Sequence, residues 1–369
     1  MAGSNGAAGL TRREVLVLGG IAAAGLGAAP SALAAGRATE GQLNIYTWAQ
    51  YQDPANLKTF SKQLGVTVHS TYYTSNEQLL TQLQTTKGQK TYDIVVPDGD
   101  HVRIEKGGSG GLGLLAPLDH SLIPNLKYLG PQWRKLAYDP GNRYSVPKDA
   151  GVTAFAYRTD RIKAKLQSWK DFFDFLPNAK GLHVNFIESP AEVIGMALVS
   201  LGYSMNTTSD KELAAAQKLL IAVKPFVSTI NEVYDDDFSA GKIDLGITYS
   251  GDALRIQAAR KAKNDINVVL PTGVSELWID NWAISAYAPH PKAAHAWINY
   301  ILAPKANAAE MRYVSYEVPT PASFPLVGAA AKNPKIVFPA RVFKDYEILK
   351  TTPDGLQKRV KIWDEFKAA

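Results

Sequence analysis

The sequence contains no cysteine among its 369 residues. This absence excludes disulfide bonds, thiolate metal sites and catalytic thiols, and it removes the cysteine that carries the lipid of a bacterial lipoprotein. Lysine and arginine outnumber aspartate and glutamate by 40 to 34, but they are scattered and form no run of five. The net charge of +6 therefore indicates a solvated basic surface, and we expect no nucleic-acid partner.

A long apolar segment is also missing. The apolar stretch Val15–Ala29 has about 15 residues, fewer than the roughly 20 that a membrane-spanning helix needs. It follows Arg12 and Arg13 and precedes the small-x-small motif Ala32–Ala34. This order predicts that residues 1–34 are a twin-arginine-type signal peptide, cleaved at its end. We therefore expect a periplasmic or otherwise extracytoplasmic protein that is not a lipoprotein.

The mature chain alternates between strand and helix patterns. Leu43–Thr47, Val66–Ser70 and Tyr92–Val96 have the composition of strands, and capping residues between them mark helix starts at Asp53 and Ser75. This alternation predicts a parallel sheet that is covered by helices on both faces. A second region of the same α/β kind follows, and the length of the chain permits two domains.

Two α/β lobes without a flexible linker predict a tight hinge and a ligand site in the cleft between the lobes. The predicted segments are 41–150 for the first part of lobe 1, 151–275 for the first part of lobe 2, 276–325 for the return to lobe 1, and 326–369 for the C-terminal helices of lobe 2.

Several familiar motifs are better explained without catalysis. The glycine-rich segment 107–113 matches the nucleophile-elbow and dinucleotide patterns, but a polar helical stretch precedes it where both patterns need a strand. The acidic segment Asp235–Asp237 lacks the calcium-loop pattern and is predicted to be a solvated turn. The histidines show no metal-binding spacing. We therefore expect a protein without enzymatic activity, cofactor or metal.

Aromatic residues and carboxylates follow several predicted strands. Trp48 and Tyr51 come after the first strand, and Tyr249 and Asp252 come after a later one. Ligands of open α/β sheets bind at the carboxyl ends of strands, so we expect these side chains to form a site. The candidates from this pattern are Trp48, Tyr51, Glu188, Glu192, Tyr249, Asp252, Trp278 and Asp280.

This mixture of side chains suits a small polycation. Each ammonium of an alkyl diamine stays charged near neutral pH, and its desolvation must be offset by carboxylates. Its methylenes fit flat apolar walls, and aromatic faces also attract the cation. The acids Glu192, Asp252 and Asp280 disfavour an anion carrier, and an iron carrier would need clustered tyrosines, usually with a histidine. An exported hydrolase would need a nucleophile with a positioned base.

Over about residues 42–366 the sequence resembles the periplasmic putrescine- and spermidine-binding proteins of polyamine ABC transporters. The segments that carry the resemblance are Asn44–Tyr51, Tyr92–Pro97, Leu114–Asp119, Tyr144–Pro147, Glu188–Val193, Leu201–Thr207 and Trp278–Ile284. Their order and spacing are more specific than any one of them.

The resemblance implies a type II periplasmic binding protein fold, in which two α/β lobes close on a ligand, and a monomer that delivers a polyamine to a membrane ABC permease. It also implies roles for individual residues. Trp48 and Tyr51 match a wall of the pocket, and Tyr249 matches a further aromatic position. Trp278 and Asp280 match a clamp on the amine, and Glu192 matches an acid that faces the ligand. Asp252 matches an acid of the putrescine-type members, and Tyr316 matches a hydroxyl donor.

Two departures from the family pattern concern ligand specificity. Gln50 stands where the family has an acid, and Asp98 begins a segment, Asp98–His101, where the family has serine with nearby aromatics. Relative to the family pattern, one acid of the pocket has therefore changed position, or one contact with an amine group of the ligand has been lost. The resemblance of Asp252 to the acid of putrescine-type members favours a putrescine-like diamine over spermidine, whereas the two departures leave open another compound that carries an amine or guanidinium group.

Overall fold

The computed structural model describes residues 40–108, 110–350 and 352–369. The predicted signal peptide, residues 1–34, lies outside this part of the chain. Within the described residues, every helix is too short or too polar to cross a membrane.

Strands and helices alternate along most of the chain. The strands are β1 Gln42–Trp48, β2 Thr67–Tyr73, β3 Ile94–Val95, β4 Ser145–Arg158, β5 Val184–Phe186, β6 Thr229–Ile230, β7 Leu245–Tyr249, β8 Ile266–Val269 and β9 Leu277–Ile284. The helices are α1 Pro54–Leu64, α2 Asn76–Thr85, α3 Gly99–Glu105, α4 Trp169–Phe175, α5 Pro190–Ser200, α6 Asp210–Val223, α7 Asp235–Ala240, α8 Ser250–Ala259, α9 Pro291–Ile301, α10 Pro304–Val314, α11 Phe324–Val327, α12 Ala340–Asp345 and α13 Pro353–Ala368.

The predicted capping residues begin their helices. Asp53 accepts a hydrogen bond from the Ala55 backbone N–H at 2.9 Å, and Gly65 ends α1 with φ at 67°. The Ser75 hydroxyl accepts a bond from the Gln78 N–H at the start of α2. These side chains satisfy N–H groups that have no partner inside the helix, which is why such residues mark helix starts.

The parallel arrangement predicted from the first three strands is confirmed, because β1 runs parallel to β2 and to β3, but the sheet as a whole is mixed. Its order is β2-β1-β3-β9-β4-β7-β5-β6, with β8 also paired to β4. β1 runs parallel to β2 and β3, and β5 runs parallel to β6 and β7. In contrast, β9 is antiparallel to β3 and β4, and β4 is antiparallel to β7 and β8. A buried apolar run predicts a strand with both faces covered, but it does not give the direction of that strand.

The long strand β4 joins the two halves of the sheet. Its first part, from Ser145 to Val152, pairs with β9, and its last part, from Thr153 to Arg158, pairs with β7 and β8. With 14 residues, the strand is long enough to pair in both halves of the sheet. Its register with β9 shifts between Pro147 and Asp149, as at a β-bulge.

Two hydrophobic cores lie on either side of this junction. Large buried side chains of the first core include Phe60, Trp133, Trp282 and Trp297, and those of the second core include Phe155, Trp169, Phe172 and Phe186. The chain passes from the first core to the second within β4, between Ala154 and Phe155. Near its C-terminus it contributes Val342 to the first core and then Phe366 to the second.

Candidate ligand-binding site

The direction of β9 decides where the site forms. Because β9 is antiparallel to β3, the first half of β9 lies at the sheet edge where β3 ends. Asp280 forms an isolated β-bridge with Asp98, which lies three residues after the end of β3. Trp278 and Asp280 therefore lie near the amino end of their strand, and not at the carboxyl end as the sequence predicted. They still reach the edge at which the parallel strands finish.

Aromatic side chains from both halves of the sheet meet at this edge. The ring of Trp278 lies 4.8 Å from the ring centre of Tyr316 and 5.9 Å from that of Tyr249. Tyr51 lies edge-on to Tyr316 at 6.1 Å. A Cβ at Gly151, opposite Trp278 on β4, would lie 2.1 Å from the indole ring, so this position needs glycine. The structure thus brings four candidate residues together.

Trp48 and Gln50 lie beside this aromatic group. Trp48 packs edge-on against Tyr73 at 4.7 Å, and the pKa of Tyr73 is raised by burial and by the nearby charge of Asp280. Gln50 is exposed in the turn after β1, where its φ is 56°. Within the described residues, the buried indole N–H groups of Trp48 and Trp278 have no hydrogen-bond acceptor.

The carboxylate of Asp98 is held by its own helix. It accepts bonds from the backbone N–H of His101 at 2.7 Å and from the His101 ring at 3.0 Å, and Asn76 donates to its other oxygen. Burial opposes the charge of Asp98, but the attraction of His101 lowers its pKa. Burial likewise opposes the charge of His101, but Asp98 raises its pKa to about 10. Asp98 therefore has a protein cation as its partner.

Asp252 is also paired with a protein cation. Arg255 donates to one carboxylate oxygen at 2.7 Å, and the hydroxyls of Tyr316 and Tyr234 donate to Asp252 at 2.7 and 2.9 Å. Arg255 reaches Asp235 as well, at 3.0 Å. Asp235 to Asp237 form the first turn of α7 instead of the predicted isolated turn, but Asp236 is exposed, as expected of a solvated acidic segment. Acidic residues favour the first turn of a helix because of the helix dipole.

A third aspartate, Asp149, was not predicted for the site. It is fully buried on β4, and Lys148 donates to it at 2.5 Å. The Tyr51 hydroxyl donates to its other oxygen. The nearby motif Tyr144–Pro147 was recognised, but adjacent lysine and aspartate residues are ordinary on a solvated surface. Burial of both was not visible in the sequence.

Asp280 differs from these three aspartates. It is 7 % exposed, and no lysine, arginine or histidine of the described residues forms an ion pair with it. Burial, followed by the charges of Asp149 and Asp98, raises its pKa far above the usual range of a carboxyl group. Hydrogen bonding by Tyr51 and the charge of Lys148 act in the opposite direction. The carboxyl group thus lacks a close cation.

Three glutamates lie at the other end of the aromatic group, and we refer to Glu192, Glu232 and Glu276 as the glutamate cluster. Tyr249 donates its hydroxyl to Glu192 at 3.0 Å and also hydrogen-bonds Glu232. Burial and then the charges of Glu276 and Glu232 raise the pKa of Glu192 well above its usual range. Burial raises the pKa of Glu232 to about 7 and that of Glu276 to about 8.

Only Glu192 of this cluster was predicted as a ligand-binding residue. Glu232 precedes the acidic segment that was set aside, and Glu276 precedes the Trp278 motif by two positions. Glu276 accepts a bond from Thr153 at 2.7 Å, so its place depends on the pairing of β4 with β9. Glu188 contributes through its backbone N–H, which donates to Glu232 at 2.9 Å. Such long-range contacts leave no local signal.

A separate cavity of about 380 Å³ lies beside β8 and contains none of the candidate residues. Its wall includes Lys165, Lys335 and Arg341. These positive charges make it unsuitable for a cation. The acidic and aromatic edge described above is therefore the better candidate for a cationic ligand.

Comparisons with known proteins agree with this architecture. The family model for bacterial extracellular solute-binding protein matches residues 55–339. The spermidine/putrescine-binding periplasmic protein of Escherichia coli is 32% identical over 300 residues, which cover 80% of this chain and 83% of that protein. The putrescine-binding periplasmic protein of Pseudomonas aeruginosa is 30% identical over 342 residues, covering 88% of this chain and 92% of that protein.

A solved structure extends the agreement to the fold. A protein from Listeria monocytogenes, described as a spermidine/putrescine ABC transporter, has a TM-score of 0.81 and 30% identity, and the match covers 89% of this chain and 99% of that one. The two cores are thus the two lobes of a type II periplasmic binding fold, with the aromatic edge between them. The chain belongs to the bacterial extracellular solute-binding proteins, and it is a binding protein and not an enzyme.

Proposed function

We propose that this protein binds a polyamine between its lobes, with a putrescine-like diamine preferred over spermidine, and delivers it to a membrane ABC permease. The observation that carries the proposal is the pair of acidic groups at the two ends of one aromatic wall. Asp280 lies at one end and the glutamate cluster at the other, with Trp278 and Tyr249 between them.

The Asp280 end is suited to a single ammonium group. Trp278 and Asp280 are two positions apart on β9, so both side chains project from the same face of the strand. A ligand ammonium beside Asp280 would offset the cost of burying that carboxylate, and charge-assisted bonds of this kind are among the stronger hydrogen bonds in proteins. The face of Trp278 would add an attraction of about 0.5–2 kcal/mol.

The glutamate cluster provides the second charged end. Glu192 and Glu232 share the Tyr249 hydroxyl, and their mutual repulsion is relieved when a cation enters between them. The edge of Tyr249 faces Trp278, so the methylenes of an alkyl chain would run along an apolar wall between the two charged ends. A diamine has this same order of charge, methylenes and charge.

The preference for a diamine depends on which acids are already paired. Asp98 and Asp252 have His101 and Arg255 as partners, so neither offers an open charge for a third amine. The relatives support a polyamine ligand in general, because their names include both putrescine and spermidine. A compound with a guanidinium group at the glutamate end is the alternative, since two carboxylates also suit that planar cation.

We further propose that lobe 1 consists of residues 41–150 and 276–325, and that lobe 2 consists of residues 151–275 and 326–369. We also propose that the protein is a monomer that needs no cofactor. The passage of β4 from one core to the other supports a hinge near Ala154. The presence of Val342 in the first core indicates that the C-terminal part also crosses between the lobes. Hinge closure around a ligand is common in binding proteins of this shape.

Calorimetric titration with putrescine, cadaverine, spermidine and agmatine tests the ligand class. We expect saturable heat with putrescine and weaker binding of spermidine, because the site has two open acidic ends. A preference for agmatine would favour the guanidinium alternative. Absence of heat and of any thermal shift with all four compounds would contradict a polyamine ligand.

The variant Asp280→Asn tests the first charged end. We expect it to weaken putrescine binding by about 2–5 kcal/mol, because a desolvated ammonium loses its only open carboxylate there. Asp252→Asn is the matched control, and it should cost less than about 1 kcal/mol because Arg255 already compensates Asp252. Equal losses in the two variants, measured by titration, would show that Asp280 has no special role.

Binding should release protons near neutral pH. The raised pKa values, about 7 for Glu232 and about 8 for Glu276, mean that the free protein holds protons there. A bound cation stabilises the ionised forms and lowers their pKa, so affinity should rise about tenfold from pH 6 to 8.5. Titrations in phosphate and Tris at pH 7 should give different heats. Identical heats in both buffers would mean that no carboxyl group changes its protonation.

We propose that the protein leaves the cytoplasm by the twin-arginine route, as a folded protein without a lipid anchor. The motif of Arg12 and Arg13 before an apolar stretch supports this. A pulse-chase experiment should show uncleaved precursor in a strain that lacks the twin-arginine translocase, and also when both arginines are changed to lysine. Normal processing in that strain would rule out this route.

A further inference from the structure

A buried lysine lies on the Asp280 side of the site. Lys148 and Asp149 have side-chain exposures of 1% and 0%, and the Lys148 ammonium lies 2.5 Å from an Asp149 oxygen. The same ammonium lies 3.5 Å from the centre of the Tyr51 ring and 5.6 Å from that of Trp282. A cation between a carboxylate and aromatic faces is the arrangement that we propose for the ammonium groups of the ligand.

Asp149 is a direct neighbour of the open carboxylate. It stands opposite Asp280 in the register of β4 with β9. The Tyr51 hydroxyl donates to Asp149 and also hydrogen-bonds Asp280, so one hydroxyl connects the two carboxyl groups. Without Lys148, the site would contain two adjacent acids without a cation.

The charge of Lys148 also acts on acids other than Asp149. It lowers the pKa of Asp280 against the effect of burial, and it acts in the same direction on Glu310 of α10. Burial nevertheless raises the pKa of Glu310 to about 7. Among the described residues, the titratable groups that face this ammonium are thus Asp149, Asp280, Glu310 and Tyr51. Glu310 is held by Asn56 at 2.8 Å and by the Asp53 backbone, away from the aromatic wall.

We infer that Lys148 is a built-in counter-cation that restricts the Asp280 side of the site to one ligand ammonium. This inference depends on the proposed polyamine function and adds the residue that sets ligand charge. Lys148 neutralises Asp149, so a single carboxylate stays open, and an amine beyond the first finds no counter-ion there. A longer polyamine therefore gains nothing from its extra charge.

A purely structural role accounts less well for this pair. A buried salt bridge seldom stabilises a protein more than apolar residues of the same size, because the desolvation cost offsets the attraction. The pair also lies in contact with Tyr51, which is itself a candidate ligand-binding residue. Its charge therefore acts where the charge of the ligand is recognised.

Four proteins test the inference: the wild type, Lys148→Met, Asp149→Asn and the double variant. The measured quantity is the ratio of the spermidine Kd to the putrescine Kd at pH 8.5, which is above the pKa of about 7 for Glu232 and of about 8 for Glu276. Lys148→Met leaves an extra negative charge and should shift the ratio at least tenfold towards spermidine. Asp149→Asn leaves an extra positive charge and should shift it in the opposite direction. The double variant restores the balance and should stay within about threefold of the wild type.

Opposite shifts that cancel are the result that a packing defect cannot produce. A merely structural pair would weaken both ligands in both single variants and leave the ratio unchanged, and that outcome would overturn the inference. Melting temperatures identify variants that fail to fold. If Lys148→Met does not fold, the double variant is compared with Asp149→Asn instead. The ratio of the spermidine Kd to the putrescine Kd must then still shift towards spermidine in the double variant. A wild type that binds neither amine would instead contradict the proposed function.

Discussion

Buried negative charge without a protein counter-ion is the condition on which the site depends. An ionised carboxylate away from water is costly, and a protein responds by pairing it or by protonating it. Asp98, Asp149 and Asp252 are each paired with a cation of the protein. Within the described part of the chain, Asp280 and Glu192 of the glutamate cluster are not paired in this way, and their raised pKa values favour the protonated form. In the proposed function, a cationic ligand provides the positive charge that these unpaired acids lack. Under the same proposal, affinity for a cation therefore follows from the electrostatics of the cleft.

The pairing of β4 with β9 links this charge distribution to the two lobes. β9 carries Trp278 and Asp280, whereas β4 carries Asp149 and continues into the second core. Tyr249 and Glu192 belong to the second half and reach Trp278 from the other side. A ligand that contacts both ends must therefore hold both lobes. It favours the closed arrangement by the difference in its contacts between the open and closed states.

The sequence predicted local features well because their causes are local. Asp53 and Ser75 bond to N–H groups two or three residues away, so each helix start is visible in a short window. The direction of β9 has no such signal, since it depends on which strands lie beside it. Trp278 and Asp280 were identified as a pair by their resemblance to a family, but they were placed at the wrong end of their strand.

The pairing of buried acids with protein cations is also difficult to predict from the sequence. The pair of Asp252 and Arg255 has helical i, i+3 spacing, so it could have been recognised from a sequence-based prediction of a helix at α8, which was not made. Lys148 and Asp149 are neighbours on a strand, where successive side chains normally point to opposite faces. The shift in register between Pro147 and Asp149 breaks that alternation. The contact between lysine and aspartate therefore depends on a bulge that has no recognisable signal in this sequence.

In the proposed function, the charge of the ligand is matched to the number of acids without a protein cation, and not to the total number of acids around the cleft. Aspartate and glutamate residues are common around the cleft, and a count of them would predict a ligand with several positive charges. His101, Lys148 and Arg255 each neutralise one of those acids from within the protein. What is left is one open aspartate and one group of glutamates, separated by an aromatic wall. Relatives with the same acids and different internal cations would then differ in ligand charge without any change in the residues that contact the ligand.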